Sequence, residues 1–586
     1  MQNTAVVVLA LSALLTVQAA SKAVDWKDTD GAVQQLQFTG IAGAATDEEK
    51  TAWRAVDKVT YKYATSGRDV TYDIEYNKVL MTSCGAKGDE TKLGGSMYAC
   101  NKTAFSDTAL PMSVFGVERG IDDAPTVPMV VSDHVGFTSY IPIIGSKGVK
   151  LFSIVSNAAV SAFVDVIEYD YKTGKPSPKT RHSSTAGKGK LGSAMGGTMT
   201  TWGTHLGFEA TATDFSEGFP YEYRVKYDGS VEFAQREAMG RGRWSAMVCM
   251  VDKRTCMGFV NDYLVMSYTD SSKDLSNVAL YAAKVSTEGM ISWTKLTGAS
   301  ATAQATARSM SGKTTDDLWE ETTAPCAEGT YTTSDGKCMQ IKKGMEDTAA
   351  RLTTSWVAKA KGATKINNVV GMAYSFEAGK VYASVSNLVN FASETDRACG
   401  AILEFKVGKY EVPSIDKETG EEAVDKDGTP VMKTVTAHAV TAATIVSALT
   451  SVGEECSPNT VRKATVMSFA QYHNTLFIGE AHTANAAVWA YNTKTSSLAR
   501  VMTYPTGSMV SSLGWYQNLV GDARSFLFAS SSSSSIATAR GQTGFLGPFF
   551  MPGYSSGSSD ILPNTGLPIW DATQANAKVS KYADNL

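Results

Sequence analysis

Charge is scarce in this chain. Asp, Glu, Lys and Arg make up 19% of its 586 residues and leave a formal net charge of −4. No basic stripe is available to neutralise nucleic-acid phosphates, so no nucleic-acid partner is expected. No polybasic patch is present to hold the chain on anionic lipid. Beyond the first 20 residues there is no run of about 20 apolar residues, which excludes a helical transmembrane span in the mature chain. The six histidines (His134, His182, His205, His438, His473 and His482) form no H-x-x-x-H pair, and the cysteines form no C-x-x-C pair. Zinc-finger spacing is therefore missing. A P-loop is missing too.

Several signals are present. Ala5 to Val17 is an apolar run too short for a bilayer, followed by the small residues Ala19, Ala20 and Ser21. That pattern predicts a signal peptide over residues 1–20 and a secreted or cell-surface protein. Eight cysteines suit an oxidising compartment, and sequential pairing is the simplest arrangement. It joins Cys84 to Cys100, Cys249 to Cys256, Cys326 to Cys338 and Cys399 to Cys456. Spacing alone does not fix this, because eight cysteines allow 105 pairings. Asn101-Lys102-Thr103 is an N-glycosylation sequon, placing Asn101 on an exposed loop.

Glycine is abundant, at 50 residues, and alternating apolar/polar runs recur between Gly or Asp turns. Phe163 to Tyr171 is one such run. Tyr221 to Tyr227 turns at Asp228-Gly229 into Val231-Glu232-Phe233, and Val278 to Val285 turns into Ile291 to Leu296. Val381 to Ser386 precedes Ala401 to Val407, and Leu476 to Ile478 precedes Ala487 to Tyr491. Period-two alternation with tight turns predicts antiparallel hairpins with buried faces. The first three hairpins begin at residues 163, 221 and 278, spacings of 58 and 57. Regular recurrence of this kind favours the blades of an all-β propeller.

Two insertions interrupt the rhythm. Residues 309–343 hold Cys326 and Cys338 and read as a stapled loop. Residues 408–433, rich in Asp and Glu, read as a polar hairpin; Asp425-Lys426-Asp427-Gly428 is its tip, since the glutamate that would complete a calcium loop is missing. Residues 21–130 form the first part of the propeller or a cap over it, residues 131–530 the propeller body, and residues 531–586 a Ser/Gly/aromatic-rich C-terminal segment.

The best local motif is Gly196-Gly197-Thr198-Met199-Thr200-Thr201-Trp202-Gly203-Thr204, ending in Phe208-Glu209. Taken alone it is a Gly-rich loop entering a strand, which can bring backbone N–H groups to an anion or simply make a tight turn. It resembles the Cys-x-Gly-Gly-x-Thr-Pro-Trp-Gly-Thr … Cys-Glu-Glu signature of the PhoX-type secreted alkaline phosphatases. Gly242-Arg243-Trp244-Ser245 resembles that family's Gly-Arg-Phe-Ser, and Leu280 to Val285 with Trp293 resembles its Leu-Tyr-x-Ala-Lys-Phe … Trp hairpin. Val381 to Asn387 with Ala401 to Glu404, and Val488 to Tyr491 before Pro505-Thr506-Gly507, follow in order. The resemblance covers roughly residues 150–530 and implies a six-bladed β-propeller with loop insertions, a small amount of helix and a calcium- and iron-dependent phosphatase site. Gly196, Gly197, Trp202, Thr204 and Glu209 would then be binding residues, with Glu209 a metal ligand.

The departures bear on function. The family's ligating cysteine falls at Ala194, its His-Glu at Ala246-Met247, its Arg-Pro-Glu at Asn368-Val369-Val370 and its second glutamate at Ala210. Ala, Met and Val side chains cannot hold hard cations or stabilise phosphoryl charge. A non-catalytic propeller that binds extracellular-matrix or cell-surface components is therefore expected, with no cofactor. The alternative is a divergent metal-dependent phosphatase using calcium and iron in a rearranged site. A glycan- or matrix-binding propeller unrelated to phosphatases is a third reading, for which ten tryptophans leave room.

Overall fold

The structure is a computed structural model. It describes residues 34–550 apart from 64–68, 81–89, 95–96, 101–116, 119–126, 129–130, 133–134, 146–147, 158–162, 170–175, 184–195, 209–217, 324–325, 327–328, 377, 390, 392–395, 415, 417–418, 420–421, 447–448, 451–455, 472, 482–484, 518–523 and 534–541. The signal peptide, Asn101, Glu209, the Cys84–Cys100 pair and the segment after residue 550 lie outside the described residues.

Every hairpin expected from the alternation is present as an antiparallel ladder. Tyr221–Val225 pairs with Val231–Gln235. Between them Gly229 takes φ of +86°, and Asp228 accepts a hydrogen bond from the Ser230 amide at 2.8 Å. That geometry explains the Asp-Gly pair: the aspartate closes the turn, and glycine occupies the left-handed position.

These hairpins assemble into a β-propeller. Among the described residues, six sheets have four or five strands. Blade 1 runs from Val135–Gly145 to Pro176–Ser183, and blade 2 from Gly196–Met199 to Val231–Gln235. Blade 3 runs from Trp244–Cys249 to Ile291–Thr297, and blade 4 from Val369–Ser375 to Met432–Ile445. Blade 5 starts at Ala464–Ala470 and blade 6 at Ser508–Gln517. The first strand of each blade touches the first strand of the next, and blade 6 touches blade 1, so the innermost strands form a closed cycle. Middle strands such as Tyr263–Tyr268 and Thr475–Glu480 are buried along their whole length. Each blade is covered on both faces by its neighbours, which is why these strands do not alternate like the outer ones.

The N-terminal segment closes the ring. Arg54–Ala55 adds an outer strand to blade 5, and Glu75–Leu80 pairs with Gln542–Phe550 as the outer strand of blade 6. A small sheet of Gln34–Gln37, Lys58–Tyr63 and Asp69–Asp73 packs Leu36, Val59 and Tyr61 into the core shared by blades 5 and 6.

Both insertions are built out from the blades. Residues 300–366 carry helices Ala303–Ser309, Glu346–Leu352 and Thr354–Ala360, with a small three-stranded sheet fastened by Cys326–Cys338. This insertion has more order than a stapled loop: Trp319, Ala349 and Val357 bury against Trp202 and Trp244 in one core. Residues 408–433 are the distal part of the blade 4 hairpin, and the Asp425 carboxylate accepts the amides of Asp427 and Thr429 at its tip, both at 2.9 Å. Cys249–Cys256 and Cys399–Cys456 also pair as expected. No helix among the described residues is long and apolar enough to cross a membrane.

One interblade contact makes stability depend on pH. His205 is fully buried between blades 1 and 2, with Ser139 Oγ 2.8 Å from Nδ1 and Ser156 Oγ 3.1 Å from Nε2. Burial pushes its pKa down to about 3. The unfolded chain takes up this proton near pH 6.5 and the folded chain does not, so stability is complete above that pH and is lost as pH falls toward 3. At pH 4.5 the loss is expected to be roughly 2–3 kcal/mol. Unfolding midpoints between pH 8 and 4.5 should fall less steeply in His205→Asn than in the parent chain. Parallel slopes would show that His205 is not the group responsible.

Candidate functional site

The centre of the ring is a cavity of about 370 Å3, walled by the innermost strands of all six blades. Five of those strands carry a β-bulge. The ladder shifts between Val135 and Thr138, Trp244 and Ala246, Val369 and Gly371, Ala464 and Met467, and Val510 and Ser512. A bulge leaves a residue outside the ladder and re-aims its side chain. Phe137, Ser245, Val370, Val466 and Ser511, which fall within these bulges, all line the cavity.

Hydrogen bonds tie the bulged strands together. Thr465 Oγ1 donates to the Val510 carbonyl at 2.9 Å across blades 5 and 6. The Thr138 amide donates to Ser512 Oγ at 3.1 Å across blades 6 and 1, and Ser384 Oγ donates to the Thr465 carbonyl across blades 4 and 5. A side chain at Gly371 would collide with that same Thr465 carbonyl, so the close approach of these blades requires glycine there.

The described part of the wall is free of charge. Among the described residues that line the cavity there is no Asp, Glu, Lys, Arg or His. Burial pushes the phenols of Tyr374 and Tyr516 upward, so both remain neutral. The lining is largely apolar, and one methionine each, Met199, Met247, Met372, Met467 and Met509, comes from the inner strands of five successive blades. Among the described residues no group of three or more His, Cys, Asp or Glu side chains is placed to hold a metal.

The structure divides the sequence motif in two. Gly196 and Gly197 line the cavity, but they belong to an inner strand rather than to a loop. Side chains at these positions would collide with the rings of Phe208 and Phe137, so close packing against aromatic faces accounts for both glycines. Trp202 and Thr204 do not line it. Trp202 is fully buried and its Nε1 donates to Glu222 Oε1 at 2.9 Å, while Thr204 Oγ1 donates to the same oxygen. Arg236 pairs with the other oxygen of Glu222. Between them Gly203 holds φ of +83° in the turn from Thr200 to Thr204. Positions 246, 247 and 370, where the phosphatase pattern has ligands, do line the cavity. The ring of methionines was not anticipated, although the segments GGTM, WSAM, VGM, TVM and SM repeat it through the chain.

Among solved structures, one match supports the fold. PhoX of Pseudomonas fluorescens, solved with vanadate as a transition state analogue, superposes with a TM-score of 0.52 at 12% identity. That match covers 88% of this chain and 98% of PhoX. Sqt1 of Chaetomium thermophilum, bound to the N-terminus of ribosomal protein L10, matches at a TM-score of 0.29 and 10% identity, over 71% and 97% of the two chains. A protein of Bacteroides uniformis described as a 6-phosphogluconolactonase matches at 0.26 and 11% identity, over 64% and 87%. No protein-family model and no curated protein sequence matches the chain. At these identities the likeness concerns the propeller fold alone.

Proposed function

We propose that this chain is a secreted or cell-surface PhoX-like propeller that acts by binding or assembly and carries out no phosphoryl chemistry. The observation that carries the reading is the absence of charge among the described residues of the cavity wall. Ala246, Met247 and Val370 line the ring where the phosphatase pattern has His, Glu and Glu. Phosphoryl transfer needs cations and fixed donors around the transferring group, and side chains of this kind supply neither. The apolar N-terminal run and the three cysteine pairs support export to an oxidising compartment, where partners would be matrix or cell-surface components.

The test is hydrolysis of p-nitrophenyl phosphate by the purified secreted protein with calcium and iron added, alongside metal analysis of the same sample. The expected result is no turnover above the protein-free rate and no stoichiometric metal. Clear turnover with bound calcium or iron would overturn the reading and favour the divergent phosphatase, with Glu209 the first residue to replace.

A further inference from the structure

We propose that the central cavity is a binding site for an uncharged, largely apolar small molecule. The inference rests on the non-catalytic reading and adds a ligand class to it. Its volume, about 370 Å3, lies within the range of small-molecule sites, about 300–1,000 Å3.

Two observations define the ligand. First, no charged side chain lines the cavity among the described residues, so an ion placed there would be desolvated without a counter-charge. Second, the partly exposed side chains of that wall include Met199, Val370, Val466 and Met509, whereas Met247, Met372 and Met467 pack into the cores between blades. The two partly exposed thioethers are unbranched and polarisable and adapt to apolar surfaces of varied shape.

Fluorescence titration of the full-length secreted protein with Nile red tests this, since the dye is neutral and apolar. Saturable binding near one site per chain is expected. Met509→Glu places a charge on the wall at a partly exposed position and should weaken binding about tenfold or more. Met199→Glu does the same from blade 2, so misfolding of one variant leaves the other informative. Met432→Ser, at an exposed apolar residue of the blade 4 hairpin, should have no effect. Absence of saturable binding to folded, metal-free, inactive protein would overturn the inference and leave the non-catalytic reading standing. Loss of binding in Met432→Ser with Met509→Glu and Met199→Glu unaffected would also overturn it, by placing the dye on the hairpin. Displacement of the dye by millimolar inorganic phosphate, or turnover of p-nitrophenyl phosphate, would overturn both.

Discussion

Replacing Glu222 by alanine is expected to destabilise the fold by about 3–5 kcal/mol, the usual cost of removing one partner from a buried ion pair. Glu222 is 2% exposed. One carboxylate oxygen accepts from Trp202 and Thr204, and the other from Arg236. The substitution would leave a buried indole N–H, a buried hydroxyl and a guanidinium of low exposure without their acceptor. Glu222→Gln should fall between alanine and the parent, because its carbonyl oxygen still accepts from Trp202 and Thr204 while its amide group confronts Arg236. Denaturation midpoints of the three proteins measure this. An unchanged midpoint in Glu222→Ala would show that the network carries no weight.

That expectation bears on how the Trp-Gly-Thr motif is understood. Its two side chains serve one buried carboxylate, and the carboxylate serves the turn between the first two strands of blade 2. A motif of this sort can outlast catalysis in a divergent chain, because a fold that needs it keeps it whatever happens to the chemistry. The cavity positions carry no such constraint from the turn, and there the side chains differ from the phosphatase pattern.

The legibility of the fold followed from burial. Tyr221–Val225 and Val231–Gln235 form a hairpin whose second strand is only partly buried, and a tight turn marks its end. The inner strands gave no such signal. Gly196–Met199 is four residues long, and bulges break the period in five of the other strands at the same level of the ring. The candidate site was visible only in outline, because positions 246, 247 and 370 come from separate blades and meet only once the ring is closed. What the alignment of motifs could offer was the identity of the residues there; what it could not offer was the methionine set, which belongs to no local pattern a single blade would show.

Ring closure sets the largest effect of all. A chain beginning at residue 81 is expected to lose its cooperative unfolding transition and to aggregate, whereas one beginning at Gln34 keeps every described contact and should fold. The segment between them does two jobs. Its strand Glu75–Leu80 covers the edge of Gln542–Phe550, pairing Glu75 with Gly547 and Asn77 with Phe545. Without it that edge presents a row of unpaired backbone groups to other chains. The segment also buries Leu36, Phe38, Val59, Tyr61 and Ile74 against blades 5 and 6, with the Phe38 ring 6.2 Å from Phe477 and 6.1 Å from Phe549. At the usual return for a buried apolar side chain these five contribute about 7–15 kcal/mol as an upper estimate. Whole domains are stable by about 5–15 kcal/mol, so the loss is comparable with the entire margin. Replacing Tyr76 and Asn77 together by proline separates the two contributions, since one of two adjacent strand amides faces the partner strand while the five apolar side chains stay in place. Light scattering and thermal unfolding of the three variants measure the outcome. A sharp, parent-like transition in the chain beginning at residue 81 would mean that blades 5 and 6 hold together without the N-terminal strand.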